Sequence, residues 1–578
     1  MRSIFTSYKN IISVLGKYKK SFRFGYLVAM IEHLAGFIPY LLVFHIISIY
    51  VERPLIINDF YIVSFLMAFS IIVRIIFKRL LDTLQQDKGY YAFSDARLKI
   101  SKHLENLNMG FYSEGNIGNI SSVVTTDIVF VEEFGISQTG VAISSIISII
   151  TTVVFLFIFD YRLTIIYVVL GLLSMLVLDK LLLKQEALSR IRQDSLANLS
   201  TSLLDFVKGI QVIKAFNMKR EKNADIEEKI EETKNNSLLM VKKMHLYLLS
   251  FEFITSISSA IMIILVSSFM LKGSFSISYG IGFIVFSFNI FLPITLLGLS
   301  SEMLSIANAG IDRYKKLINE KELENKKDST RTAKTSNISF KDVSFAYESK
   351  DVIHNINLEI KEKSFTALVG KSGSGKTTIV NLLCRFWDIS HGEILIDNIN
   401  IKDISFENLL SNISMVFQRV YLFNDTIYNN IAFGSQNATK EDVIAVSKKA
   451  RCHDFIMKLE KGYDTIVGEA GSSLSGGEKQ RISIARAMLK DAKIILLDEA
   501  TVGIDPENEK FIQDAIDELV KDKTLIVIAH RLSTIKNADN IVYLENGQII
   551  EQGNHFQLLQ KEGKYKRQFD FYMKNKSI

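Results

Sequence analysis

The sequence predicts a multidomain membrane protein, in which an all-α domain of six transmembrane helices precedes an α/β domain built on a phosphate-binding loop. Three observations predict this fold class. Long apolar runs are concentrated in roughly the first 310 residues, and the remainder alternates short apolar strands with helical segments. A glycine-rich loop stands between one of those strands and a helix.

Six apolar runs are long enough to cross a bilayer, which takes about 20 helical residues. They lie at 24–50, 59–81, 138–159, 163–183, 246–271 and 277–299. The whole chain is also apolar, with 48% hydrophobic residues, 39 Phe and only 4 Pro. Six such runs argue against the alternative of long helices buried in a soluble core.

The spacing and charge of the connections predict the topology. Short connections follow the first, third and fifth runs, whereas long, polar, helical segments follow the second and fourth. The first 23 residues are basic and contain no acid, which predicts a cytoplasmic N-terminus. An even number of spans then returns the chain to the cytoplasm. We therefore expect a multi-pass membrane protein whose soluble half and long helical extensions are cytoplasmic.

Charge and cysteine content argue against a nucleic-acid partner, a zinc site and a disulfide framework. A net charge of +6 over 578 residues does not indicate a nucleic-acid partner. Cys384 and Cys452 lack the spacing of a zinc site or a disulfide framework, which fits a reducing compartment. The apolar run after the basic N-terminus is too long for a cleavable signal peptide.

Composition also predicts the domain boundaries. Residues 320–337 are charged and lack apolar periodicity, which is typical of a linker. We therefore expect a transmembrane domain at 1–319, the linker at 320–337 and a nucleotide-binding domain at 338–578.

The loop after the strand FTALVG matches the phosphate-binding pattern G-x-x-x-x-G-K-[ST]. Its glycines let the backbone wrap phosphates, its lysine reaches the β- and γ-phosphates, and its first threonine can bind Mg²⁺. The predicted ATP-binding residues of this loop are Gly370, Lys371, Ser372, Gly373, Ser374, Gly375, Lys376, Thr377 and Thr378.

Further polar residues follow other apolar strands. Asp498 and Glu499 end IILLDEA, so Asp498 is a candidate Mg²⁺ ligand and Glu499 a candidate for polarising the attacking water. His530 ends another buried strand and could contact the γ-phosphate, and Tyr347 could stack on the adenine. Taken alone, the histidine could equally be a core residue, and Gln418 would be an ordinary loop glutamine.

A second anion-binding turn lies in SSLSGGEKQRISIARAML, where a glycine turn opens a helix. With this turn, the motifs occur in the order and spacing of an ATP-binding cassette, which the stretch from 338 to 578 resembles over its full length. The resemblance implies that Tyr347 stacks on the base, Gln418 is the Q-loop residue and a Mg²⁺ ligand, Asp505 is the D-loop acid and His530 is the switch histidine.

In that family, two cassettes meet head to tail and share each ATP. The resemblance therefore implies that Ser475, Gly476, Gly477 and Glu478 bind the nucleotide of a second half-transporter. That partner could be an identical chain or a sister subunit. The same resemblance implies ATP hydrolysis with Mg²⁺ as cofactor.

The membrane half resembles a bacterial half-transporter of the type IV, exporter-type, architecture, which implies a location in the bacterial inner (cytoplasmic) membrane. FYSEGNIGNISSVVTTDI (111–128) and FVKGIQVIKAF (206–216) resemble its two coupling loops, and the segment around Glu469 is expected to touch them. The chain departs from the usual pattern at three places. Residues 502–505 read VGID instead of SALD, Ala470 replaces an arginine, and Glu478 replaces a glutamine.

Three functions remain open at this point. The cassette resembles the siderophore-importing sub-branch in one stretch, so import of an iron-siderophore or haem-like ligand is slightly favoured. Export of drugs, lipids or peptides by the same fold is the alternative, as is an ATP-gated membrane protein without pumping. Vectorial accumulation in vesicles separates a pump from a gate.

Ionisable residues inside the predicted spans are costly and usually face a cavity or a partner. Glu32, His33 and Arg74 are the candidates for a substrate cavity, and His45 and Glu252 also lie within spans. Packing by an ion pair, or a position near the membrane interface, is the competing explanation.

Overall fold

The computed structural model describes residues 2–112, 114–216, 219–326, 329, 331–347, 350–435, 437–468, 471, 473–498, 506–529 and 535–576. Their contacts divide the chain into two compact units. The first comprises Met1–His103 with Ile117–Glu320, and the second comprises Leu104–Asn116 with Lys321–Ile578.

The regular secondary structure of the first unit is helical within its described residues. Its helices are α1 (Arg2–Val14), α2 (Lys19–Ala35), α3 (Ile38–Glu52), α4 (Ile57–Asp82), α5 (Lys88–Leu104), α6 (Glu114–Ser122), α7 (Ile128–Phe130), α8 (Ile136–Phe159), α9 (Tyr161–Lys208), α10 (Ile210–Ala215), α11 (Lys219–Leu271), α12 (Ile277–Ser287) and α13 (Leu292–Ile318).

The prediction of six membrane-spanning helices is confirmed. Within the part of the chain that the structure describes, six helical stretches are long and apolar enough to cross a bilayer. They are Gly16–Val51, Ile57–Leu104, Asn116–Phe159, Tyr161–Lys180, Ala224–Leu271 and Ile277–Ile318.

The first and last spans differ from the sequence-based expectation of unbroken helices. The first is interrupted between Ala35 and Ile38, and the last between Ser287 and Leu292. A proline stands at the start of the following helix in both cases, Pro39 in α3 and Pro293 in α13. Because proline lacks an N–H and clashes with the preceding turn, it is tolerated at a helix start but not in an unbroken helix.

Three short π-helical segments interrupt the helices of this unit. They are Thr83–Asp87, Val123–Asp127 and Val131–Gly135. Such segments occur often at functional sites. The first segment lies between α4 and α5.

The second segment contains Asp127, whose carboxylate is buried. Both Nε and Nη2 of Arg313 donate to this carboxylate at 2.6 Å.

The second unit contains an antiparallel and a mainly parallel sheet. Its strands are β1 (Ile338–Tyr347), β2 (Lys350–Ile360), β3 (Phe365–Gly370), β4 (His391–Ile396), β5 (Ile399–Asn400), β6 (Ile413–Val416), β7 (Ile494–Asp498), β8 (Thr524–Ile528), β9 (Asn540–Glu545) and β10 (Gln548–Gly553). The four-stranded sheet has the order β2-β1-β4-β5, and the six-stranded sheet has the order β10-β9-β3-β8-β7-β6.

Helices cover the six-stranded sheet, and its buried strands IILLD and TLIVI read as nearly continuous apolar runs, as parallel strands do. The helices of the second unit are α14 (Lys376–Leu383), α15 (Phe406–Ser411), α16 (Ile427–Ala432), α17 (Lys440–Lys449), α18 (His453–Lys458), α19 (Gly476–Lys490), α20 (Pro506–Leu519), α21 (His555–Gln560) and α22 (Lys564–Lys576).

The segment Leu104–Asn116 packs within the second unit, although it lies far from the rest of that unit in sequence. The backbone N–H of Met109 donates to the carbonyl of Phe386 at 3.0 Å, and that of Leu323 donates to the carbonyl of Asn106 at 2.8 Å. This segment overlaps the first predicted coupling loop. The second predicted loop, 206–216, covers the end of α9 and helix α10.

Candidate functional site

Four neighbouring parallel strands bring the predicted nucleotide residues to one edge of the large sheet. Leu368 of β3 pairs with Ile528 of β8, which pairs with Asp498 of β7. Val416 of β6 pairs with Leu497 of β7. Because carboxyl ends of parallel strands lie at the same edge, the phosphate-binding loop, Asp498 and the segment after β6 with Gln418 emerge together.

The loop between β3 and α14 has a backbone that only glycine adopts readily. Gly370, Gly373 and Gly375 have φ values of 148°, 79° and 99°. A Cβ atom at Gly370 would lie 2.1 Å from the carbonyl oxygen of Leu544, so a larger residue cannot be placed there. The glycines of the phosphate-binding pattern are therefore required by this local geometry.

Lys376 and Ser374 place polar atoms inside the loop. The buried Lys376 donates from Nζ to the carbonyl oxygens of Gly370 and Lys371, both at 2.9 Å. The Ser374 hydroxyl is buried and has no hydrogen-bond partner among the described residues. A buried hydroxyl, a buried ammonium and the N-terminus of α14 fit a bound phosphate group.

The proposed Mg²⁺ ligands are hard oxygen donors. Thr377 is exposed in the first turn of α14, and Asp498 ends β7. Among the residues that the structure describes, no group of three or more His, Cys, Asp or Glu could hold a metal ion. Mg²⁺ at nucleotide sites uses one or two carboxylates together with hydroxyl, water and phosphate oxygens, so this donor set fits Mg²⁺.

Tyr347 stands at the end of β1 beside the loop's helix. Its hydroxyl donates to Oγ1 of Thr378 at 3.3 Å. Its ring meets Trp387 edge to face, with centroids 5.2 Å apart and an interplanar angle of 84°. The proposed base-stacking residue therefore contacts both α14 and the chain's one tryptophan.

The signature turn lies on a different element, at the N-terminus of α19. Ser475 is the N-cap, and it forms a capping box with Glu478. Gly476 and Gly477 begin the helix, so their N–H groups belong to its first turn. An exposed serine hydroxyl at a helix N-terminus is suited to contact an anion.

Several predicted residues lie outside the described residues. They are Glu469, Ala470, Glu499, the D-loop residues 502–505 including Asp505, and His530. Their assigned roles stay predictions.

The structure brings the three intramembrane candidates together. Glu32, His33 and Arg74 line one cavity of about 440 Å³ in the first unit. Arg74 donates from Nε and Nη2 to the same oxygen of Glu32, both at 3.3 Å. His45 and Glu252 do not belong to the lining of this cavity.

Sequence reasoning missed further polar residues of this cavity. Lys78, Asp82 and Gln85 line it together with Arg74. Their spacing of three or four residues places them on one face of α4 and its continuation. That spacing was the available signal. Asp82 and Gln85 lie beyond the apolar run that ends at 81, and Lys78 lies inside it but was not singled out.

Comparisons with known proteins cover both units. The model of the ABC transporter transmembrane region matches residues 24–294, and the ABC transporter model matches residues 353–502. An ATP-dependent lipid A-core flippase of Syntrophus aciditrophicus is 35% identical over 82% of this chain and 80% of its own length.

This chain belongs to the ABC transporter family. A Bacillus subtilis protein whose name describes multidrug export by an ATP-binding permease is 34% identical over 82% of the chain and 83% of its own length. A solved bacterial Atm1-family ABC exporter with ATP bound has the same fold, with a TM-score of 0.84 over 97% of this chain and 99% of its own, at 24% identity.

The ABC transporter described here is a half-transporter with the type IV, exporter-type, fold, as the sequence predicts. It binds ATP and couples ATP hydrolysis to transport. It is a multi-pass protein of the bacterial inner membrane with a cytoplasmic ATPase domain.

Proposed function

We propose that this ABC transporter exports an amphiphilic small molecule from the cytoplasmic side of the membrane. The membrane cavity that contains Glu32, His33 and Arg74 supports this proposal, because both aromatic and charged side chains line it. Phe37, Tyr40 and Phe286 supply the apolar surface, and Glu32 and Arg74 supply charge. Such a mixed wall suits a ligand with an apolar body and a polar headgroup.

Export replaces import as the favoured direction. The sequence slightly favoured import of an iron-siderophore or haem-like ligand, but the similar proteins bear names that describe a lipid flippase and a multidrug exporter. These names support the alternative reading of the sequence. In this proposal, the three predicted cavity residues, Glu32, His33 and Arg74, contact the substrate.

The nucleotide roles and domain boundaries are part of the same proposal. Lys376 and the loop N–H groups hold the β- and γ-phosphates, and Tyr347 stacks on the base. Thr377, Gln418 and Asp498 hold Mg²⁺, which would neutralise phosphate charge. Glu499 orients the attacking water, and Gln418 and His530 assist it. The domains remain 1–319, 320–337 and 338–578.

The proposal takes two chains, because the two cassettes of an ABC transporter are expected to share each ATP and the signature turn of Ser475, Gly476 and Gly477 opens a different helix from the phosphate-binding loop. Each nucleotide would be held by Lys376 of one chain and the signature turn of the other. Either variant alone, Lys376→Met or Ser475→Arg, should then reduce ATP hydrolysis at least about a hundredfold, because one half of every site is damaged.

Mixing these two variants tests the sharing of sites. A mixed dimer has one site in which both halves are intact, so co-expressed and co-purified Lys376→Met and Ser475→Arg chains should regain ATPase activity. Lys440→Met, at the exposed start of α17, is the matched lysine control. If the mixture stays as inactive as the single variants, the shared-site proposal is wrong.

Vesicles test the direction of transport. ATP added outside inside-out vesicles should drive accumulation of a fluorescent amphiphile, and Glu499→Gln should abolish it. Accumulation of labelled haem or siderophore with the opposite orientation would support import instead. A flux that equilibrates without accumulating would identify a gate.

A further inference from the structure

Gln85 has a buried carboxamide nitrogen without a hydrogen-bond partner among the residues that the structure describes. The side chain is only 5% exposed. Buried polar groups in folded proteins nearly always have partners, and an unpartnered one usually marks a ligand, a water or a strained site. Gln85 also belongs to the π-helical segment Thr83–Asp87, a conformation that is frequent at functional sites.

Two glycines from other helices make room for this side chain. A Cβ atom at Gly25 of α2 would lie 2.9 Å from Cγ and 3.0 Å from Nε2 of Gln85. A Cβ atom at Gly140 of α8 would lie 3.2 Å from Oε1 of Gln85. The carboxamide therefore occupies a slot between two helices that a larger residue at either glycine would fill.

One side of that slot opens on the membrane cavity. Gln85 and Gly140 line the cavity of about 440 Å³, whereas Gly25 is not part of its lining. The carboxamide oxygen is next to Gly140 and the nitrogen is next to Gly25. A half-turn about the terminal torsion, which is roughly two-fold, exchanges the two atoms and moves the N–H donors to the side of Gly140.

Two cations that line the same cavity as Gln85 are loosely paired. Nε of Arg74 lies 3.3 Å from Oε1 of Glu32, and Nζ of Lys78 lies 3.3 Å from Oδ1 of Asp82. Both distances exceed the 2.7–2.9 Å of a close charge-assisted hydrogen bond. An anionic headgroup could therefore compete for either cation, while Phe37, Tyr40 and Phe286 contact the apolar part of the same molecule.

We propose that Gln85 is a specificity-determining residue of the export cavity, which selects amphiphiles with an anionic, acceptor-rich headgroup such as a phosphate. A headgroup acceptor receives the Gln85 N–H after the half-turn, and Lys78, about two helical turns earlier in the same cavity lining, balances its charge. A headgroup that carries only a positive charge offers no acceptor to the Gln85 N–H and no negative charge to the neighbouring cation. This inference rests on the proposed function, since it assigns a substrate class to the same cavity.

The test uses full-length protein in nanodiscs with octyl phosphate, octyl glucoside and octyl trimethylammonium as probes. Octyl phosphate should stimulate ATP hydrolysis and raise Tm, and octyl trimethylammonium should do neither. Gln85→Met keeps the length of the side chain and removes its donor, so the octyl phosphate concentration for half-maximal stimulation should rise about tenfold or more. Gln138→Met on α8, outside the cavity lining, is the control and should keep the wild-type value.

Stability separates binding from a structural role. Because Gln85→Met removes an unpartnered polar group, Tm without a probe should be equal or higher. A lower Tm together with an unchanged response to octyl phosphate would overturn the inference. So would equal stimulation of the wild type by all three probes.

The two proposals can fail separately. If vesicles accumulate an amphiphile but Gln85→Met leaves the octyl phosphate response unchanged, export stands and the specificity role is wrong. If Gln85→Met weakens the response to octyl phosphate but no amphiphile accumulates, the headgroup site stands and export is wrong.

Discussion

The hydroxyl of Ser475 donates a 2.8 Å hydrogen bond to the carboxylate of Glu478, which also accepts the Ser475 backbone N–H at 2.8 Å. Glu478 stands where related signature turns commonly have glutamine. The carboxylate thus engages the hydroxyl that is proposed to meet the partner's ATP, and it places a negative charge near that polyphosphate.

Glu478→Gln should strengthen ATP binding at the shared site. Glutamine can still complete the capping box, but it removes the like charge. We expect the ATP concentration for half-maximal hydrolysis to fall about threefold to tenfold, or ~1 kcal/mol. Glu441→Gln, an exposed acid in the first turn of α17, is the matched control and should have no effect. A higher ATP requirement for Glu478→Gln would contradict this account.

Trp387 should report nucleotide binding by a change in its fluorescence. It is the chain's one tryptophan, and its ring contacts Tyr347. Adenine placed on Tyr347 would alter the surroundings of that ring. Tyr347→Ala should weaken ATP binding about tenfold, since base stacking on an aromatic ring contributes ~1–3 kcal/mol.

Tyr347→Phe is the control for this experiment. It keeps the ring and loses only the 3.3 Å hydrogen bond to Thr378, so its ATP affinity should stay within about threefold of the wild type. Equal ATP affinities for the wild type and Tyr347→Ala would remove Tyr347 from the base site.

The Asp127–Arg313 pair should stabilise the helical unit. Asp127 is buried, its backbone lies close to Gly310, and Arg313 binds both carboxylate oxygens. Arg313→Ala leaves the carboxylate unpaired and should cost ~2 kcal/mol, because breaking a buried pair is expensive but Arg313 is 49% exposed. Thermal unfolding in detergent measures the change.

Two variants complete that experiment. Asp127→Asn combined with Arg313→Gln should recover part of the loss, because no buried charge remains unpaired. Lys229→Ala, which breaks a more exposed pair with Glu232, should lower stability much less than Arg313→Ala does. If Arg313→Ala and Lys229→Ala lower thermal stability equally, burial of Asp127 is not the reason that the Asp127–Arg313 pair stabilises the protein.

Cys384 and Cys452 should resist alkylation in the native protein. Burial raises the pKa of each thiol from 9.0 to about 12, so both remain protonated at pH 8 and inaccessible. Mass spectrometry after treatment with iodoacetamide should find neither labelled until the protein is denatured. Ser411→Cys, at an exposed position, is the positive control. Rapid native labelling of either residue would show that its surroundings open.

The same pKa shift predicts how alkali acts on the protein. Between the unfolded pKa of 9.0 and the folded value of about 12, the unfolded chain loses thiol protons that the folded chain retains. These two groups therefore favour unfolding as the pH rises through that range.

Local pattern was sufficient for much of the fold. The six apolar runs and the alternation after residue 338 predicted the helical and α/β parts, because span length and strand-helix alternation are read from neighbouring residues. Pro39 also indicated the interruption of the first span. The interruption was missed because hydropathy does not reflect that proline has no backbone N–H to donate within a helix.

The sequence by itself determined the family, the order of the nucleotide motifs and the elements that carry them. Only the tertiary structure decided which side chains share a space. Parallel pairing of β3, β8, β7 and β6 puts distant segments at one sheet edge. The packing of Gly25 and Gly140 against Gln85 encloses a donor that looks ordinary in sequence. Burial depends on contacts between residues far apart in the chain, and no local period encodes them.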